Sequence, residues 1–120
     1  MGMADSTSLG SFEQVVLAAI LSLGEEAYGV TVHARVEELS RPKRVVLGAV
    51  YATLDRLTDK GLVRSWMSEP RPERGGRSRR YFALEPAGER ALRDAAETAR
   101  RMCNLVEQRW GLSSPRPAKS

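Results

Sequence analysis

The chain has 120 residues, 42% of them hydrophobic, enough for one domain with a real core and too many for general disorder. A single cysteine, Cys103, excludes an intrachain disulfide and a cysteine zinc cluster, and His33 is the only histidine. No apolar run approaches the ~20 residues of a membrane span, and the first residues lack the basic start, apolar core and cleavage site of a signal peptide, so a cytoplasmic protein without a membrane partner is expected.

The net charge of +4 is unevenly spread. Between Arg41 and Phe82 there are 11 Lys/Arg against 4 Asp/Glu, and elsewhere 8 against 11. Clustered cations attract the phosphate backbone and add a salt-dependent term to affinity.

Residues 1–8 are small and polar and read as a mobile tail. Ser11 is the expected N-cap of a first helix, with Gln14 three residues on as in a capping box. That helix, 12–23, is apolar nearly all round. It needs cover on more than one side, which a partner subunit would supply. Residues 24–26 are a turn. A second helix over 27–39 points Tyr28, Val32, Val36 and Leu39 inward and Glu37 and Glu38 outward. A polar, basic turn over 40–44 contains Pro42.

The stretch 47–63, LGAVYATLDRLTDKGLV, organises the rest. Leu47, Val50, Leu54 and Leu57 recur at three- and four-residue steps and share one helix face. Gly61 ends the pattern, as a residue able to take positive φ does. Two helices joined by so short a connection fit a helix-turn-helix. Residues 62–68 read as a strand, 69–78 as a basic loop and 79–84 as a second strand. A lone hairpin is not stable, so this one must pack on the helices.

Pro86 suits the first turn of a fourth helix, running to about Trp110. Leu92, Ala95, Ala99, Met102 and Val106 are spaced 3, 4, 3, 4, a coiled-coil-like seam. With Phe12 and Val16 of the first helix, and Trp110, they are the expected dimerisation surface. Residues 111–120 read as a disordered tail. The fold class is therefore mainly α with a small β hairpin: a winged helix-turn-helix over 9–85 and a long dimerisation helix over 86–110.

Small residues near the start of the third helix, Gly48, Ala49 and Ala52, let a helix lie deep in a major groove about 12 Å wide. Tyr51, Thr53, Arg56 and Lys60 flank them and are expected to reach phosphates or base edges. Lys43 and Arg44 can hold the backbone at the N-terminal end of that helix. In the loop, Gly75 and Gly76 allow close approach, and Arg77, Arg79 and Arg80 supply charge. Strand alternation sends Arg79 and Tyr81 to one face and Arg80 to the other, which leaves Arg77 as the strongest candidate of the wing. Asp55, on the outward side, would repel phosphate unless it orients a neighbouring arginine.

No enzyme constellation survives inspection, and no metal or cofactor is implied. His33 sits mid-helix without an acidic or cysteine partner at ligand spacing and reads as a surface residue. Cys103 lies beside the apolar seam and reads as a packed thiol.

LGSFEQVVLAAILSL at 9–23, EEAYGV at 25–30, the 47–63 stretch, GGRSRRYF at 75–82 and LEPAGERAL at 84–92 resemble the PadR family of transcriptional regulators. The resemblance covers residues 9–95 and keeps the motifs in order. It implies a winged helix-turn-helix that dimerises through its last helix and binds a pseudo-palindromic operator, usually as a repressor. The single C-terminal helix is similar to the short branch of the family. It also implies a small-molecule effector at the dimer interface. Where short-branch members carry a mid-helix tryptophan this chain has Ala99, and Trp110 lies about three turns further on.

The expected function is sequence-specific recognition of double-stranded DNA by a homodimer, as a repressor. Two rivals stand beside it: a ligand- or partner-binding winged-helix dimer without DNA binding, and an RNA-binding winged helix.

Overall fold

A computed structural model describes residues 9–70, 75–76 and 78–111. The expected tails over 1–8 and 112–120, and Arg77, lie outside the described residues. Four helices and one hairpin follow in the order α1 (Ser11–Leu23), α2 (Gly29–Ser40), α3 (Leu47–Asp59), β1 (Val63–Met67), β2 (Arg80–Leu84) and α4 (Pro86–Trp110). A 3-10 turn, Gly24–Glu26, links α1 to α2.

α1 is the centre of the fold. Its Val16, Leu17, Ala19 and Ile20 are buried with Val32 and Val36 of α2, Val50, Leu54 and Leu57 of α3, and Leu62, Val63, Phe82 and Leu84 around the hairpin. Fully burying each Val, Leu or Phe contributes roughly 1.5–3 kcal/mol. The expectation that α1 needs a partner subunit is thus corrected. α2, α3, β2 and α4 of the same chain cover it. Val16 is wholly inside this core and cannot be a dimer contact.

The helix start is corrected too. Gly10, not Ser11, is the N-cap. Its N–H donates to Oε1 of Glu13 at 3.0 Å, so Glu13 takes the part expected of Gln14. Gln14 instead donates to the Leu9 carbonyl. In α2, Val32 and Val36 face inward as expected, whereas Leu39 is exposed at the last turn. In α3 the inward stripe is Val50, Thr53, Leu54 and Leu57, while Leu47 is exposed because the first turn overhangs the core. Gly61, at φ +79°, reverses the chain, and the Leu62 N–H closes back on the Leu57 carbonyl at 3.0 Å.

The strands pair antiparallel with Val63 opposite Leu84 and Trp66 opposite Tyr81. The hairpin is tied to the helices on both sides. Phe82 N–H donates to the Ala27 carbonyl, a bridge joins Tyr28 to Tyr81, and Glu85 N–H donates to the Leu62 carbonyl. α4 then leaves the body. Pro86 occupies its first turn, and Gly88 and Ala91 are its buried residues.

Candidate nucleic-acid interface

α3 is held by two neighbours. Val50, Thr53, Leu54 and Leu57 anchor its inner face. Tyr51 lies across α2 at Gly29, where its phenol ring fills the space a side chain there would need. Gly48, Ala49, Ala52, Asp55 and Arg56 are left facing outward, and Gly48 has open space beside it. A surface of small residues flanked by Tyr51 and Arg56 can enter a major groove without steric conflict.

Thr53 does not belong to that surface. It is 2% exposed, and its hydroxyl accepts a hydrogen bond from Arg56 Nη2 at 3.1 Å. The signal was in the spacing: Thr53 stands three residues after Val50 and four before Leu57, so it completes the buried stripe. Lys60 is also engaged. Its ammonium lies 3.1 and 3.0 Å from the two carboxylate oxygens of Glu13. Arg56 shares that carboxylate at 3.5 Å, while its side chain stays 56% exposed. Lys60 is thus a partner for a buried acid before it is a phosphate ligand.

Glu13 was not among the expected site residues. Burial opposes its charge, but the Gly10 N–H, Lys60 and Arg56 outweigh burial and hold its carboxyl below the usual carboxylate range. A lone acid inside an apolar helix was the available signal.

The turn between α2 and α3 is built by residues read as surface. His33 Nε2 donates to the Val45 carbonyl at 2.6 Å. Glu37 accepts from the Val45 N–H at 2.9 Å and from Arg44 at 3.4 Å. The Val45 contact, helped by Arg44 and His33 against some burial, lowers the Glu37 pKa. His33 and Glu37, one helical turn apart, therefore clamp the start of α3, and Glu37 is not simply outward. Arg44 remains 90% exposed, and Lys43 is exposed beside it.

In the wing, Gly75 and Gly76 both take positive φ and are exposed. Arg79 lies over the Tyr28 ring at 4.1 Å, on the face shared with Tyr81. Arg80 lies on the other face, as alternation requires, and reaches Asp55 of α3. Arg79 and Arg80 thus both have intrachain partners. On α4, Ala95 and Ala99 are half-buried, whereas Met102, Leu105, Val106 and Trp110 are exposed, Trp110 at 69%. Cys103 is exposed as well. Among the described residues no helix is long and apolar enough to cross a membrane.

The sequence profile of the family described as Transcriptional regulator PadR-like family matches residues 16–94. Among solved structures, a PadR family transcription regulator from Clostridium difficile R20291 is similar, with a TM-score of 0.68 at 22% identity, covering 82% of this chain and 97% of that one. A Streptococcus transcriptional regulator has a TM-score of 0.65 at 24% identity, covering 90% and 96%. The Aeropyrum pernix ORC1 protein in complex with DNA has a TM-score of 0.61 at 25% identity, covering 82% of this chain and 27% of that one. No curated protein matches significantly.

Proposed function

The chain belongs to the PadR-like family of transcriptional regulators, and we propose that it is a homodimeric repressor of a pseudo-palindromic operator. The family and its structural neighbours are regulators, not enzymes. The observation that carries the DNA reading is the outward face of α3, with Gly48, Ala49 and Ala52 flanked by Tyr51 and Arg56. A neighbour that shares the fold is recorded bound to DNA.

Two α3 helices would enter successive major grooves about one helical turn apart. Lys43 and Arg44 would sit on phosphates at the start of α3. The glycine pair and arginines of the wing would flank the site. The apolar row Met102, Leu105, Val106 and Trp110 would meet the same row of a second copy, with Leu92, Ala95, Ala99 and the half-buried Phe12 nearer the body. A small-molecule effector at that interface would act by changing the angle between the two winged units, because a change of spacing releases both half-sites together. Such a regulator works in the cytoplasm.

Fluorescence anisotropy against the protein's own upstream DNA and an unrelated duplex, at several salt concentrations, tests this. Tight binding to the upstream duplex alone, with log K falling steeply against log salt, supports it. Equal weak binding to both duplexes, with or without added effector, overturns specific autoregulation.

A further inference from the structure

A groove of about 730 Å³ lies on the face of the hairpin away from the core, between the end of α1 and the first turns of α4. Its volume falls in the range of small-molecule sites, roughly 300–1,000 Å³. One wall is aromatic. Trp66 and Tyr81 stack across the strands with centroids 6.2 Å apart at 18°, yet Trp66 stays 45% exposed. The opposite side brings in Glu25 and Glu26 from the 3-10 turn and Glu89 from α4. None of these three carboxylates has a side-chain partner among the described residues. The one basic residue of the groove, Arg64, is already engaged. It donates to the Leu84 carbonyl at 3.1 Å, lies 3.8 Å from Glu85 and covers part of the Trp66 ring.

Two alternatives for this surface fail on chemistry and distance. Carboxylates repel phosphate, so it is not a DNA surface. The exposed apolar row of α4 begins at Met102, thirteen residues beyond Glu89, or roughly 20 Å along a helix, so the groove is not the expected dimer seam.

We propose that this groove is a binding site, within one chain, for a planar aromatic cation. A flat positive ring has what the groove offers on each side: an indole face for stacking and cation–π attraction, and uncompensated carboxylates opposite. An anion of the same shape would meet those carboxylates and be rejected. The site stands independently of the DNA reading, because its occupant is measured without DNA.

The test is calorimetric titration of the full-length protein with N-methylquinolinium, and with naphthalene-2-sulfonate as the planar anion. The cation should bind and the anion should not. Glu25→Gln with Glu26→Gln should weaken the cation at least tenfold, and Trp66→Leu should do likewise. The carboxamide pair alters only exposed side chains, so it decides the matter even if Trp66→Leu disturbs the hairpin. Trp110→Leu should leave binding unchanged. No heat with the cation, equal binding of the anion, wild-type affinity in the carboxamide pair, or loss of binding in Trp110→Leu would each overturn the proposal.

Discussion

Arg80 on β2 holds its Nη1 3.3 Å from Oδ1 of Asp55 on α3, so the wing and the third helix are joined by a charged contact across 25 residues of sequence. The same guanidinium donates to Ser65 Oγ at 3.1 Å and lies 5.0 Å from the Phe82 ring centroid. Asp55 looked out of place on a surface meant for phosphate. Its position is explained by the arginine it orients.

Asp55→Asn should change DNA binding more than stability. The pair is largely exposed, and exposed pairs contribute about 0–1 kcal/mol. Removing the acid frees Arg80 and removes a negative charge beside the groove. Binding to unrelated duplexes should tighten at low salt, and the slope of log K against log salt should steepen by about 1. An unchanged slope in an anisotropy titration would place Asp55 away from the DNA.

Acid should unfold the protein partly through Glu13. Its folded pKa lies below the ordinary value of 4.5. The stability it contributes is therefore complete above the unfolded value and is lost as pH falls through the folded one. Melting temperatures recorded from about pH 6 down to about pH 3 should fall more steeply in the wild type than in Glu13→Gln. A smaller fall should persist in the variant, because Glu37 is shifted in the same direction. Parallel curves would show that the Glu13 cluster contributes nothing.

Two glycines should respond oppositely. A side chain on Gly88 would collide with the backbone carbonyl of Leu62, which cannot move aside as a flexible side chain can. Gly88→Ala should cost about 1–3 kcal/mol or more. Gly48 has open space beside it, within a helix. Gly48→Ala should stabilise by roughly 0.5–1 kcal/mol while weakening operator binding, since the added methyl stands on the face meant for the groove. Thermal melts and anisotropy on both variants check this. Gly48→Ala with full operator affinity would argue against deep insertion of α3.

The dimer reading makes a simple demand of α4. Val106→Glu should shift sedimentation from dimer to monomer with little change in melting of the winged body, because Val106 is exposed in the single chain. Wild-type protein sedimenting as a monomer would refute the arrangement outright.

Element order, the buried stripe of α3 at Val50, Leu54 and Leu57, the Gly61 stop and the hairpin alternation that separates Arg79 from Arg80 were all legible in the sequence. Each follows from local periodicity or backbone freedom, which neighbouring residues impose on one another. The family was legible for the same reason, since its motifs are local strings in a given order. Tertiary structure alone decided what long-range contacts decide. It placed α1 at the centre, so that its all-round apolar surface is spent inside one chain and Val16 is lost to any interface. It turned Thr53 inward and gave Lys60 and Arg56 to Glu13, 47 and 43 residues away. It gave Asp55 to Arg80, and it made His33 and Glu37 the clamp of the α2–α3 turn. Charge partners are chosen by proximity in the folded state, and a residue's type states only that it can pair, not with what.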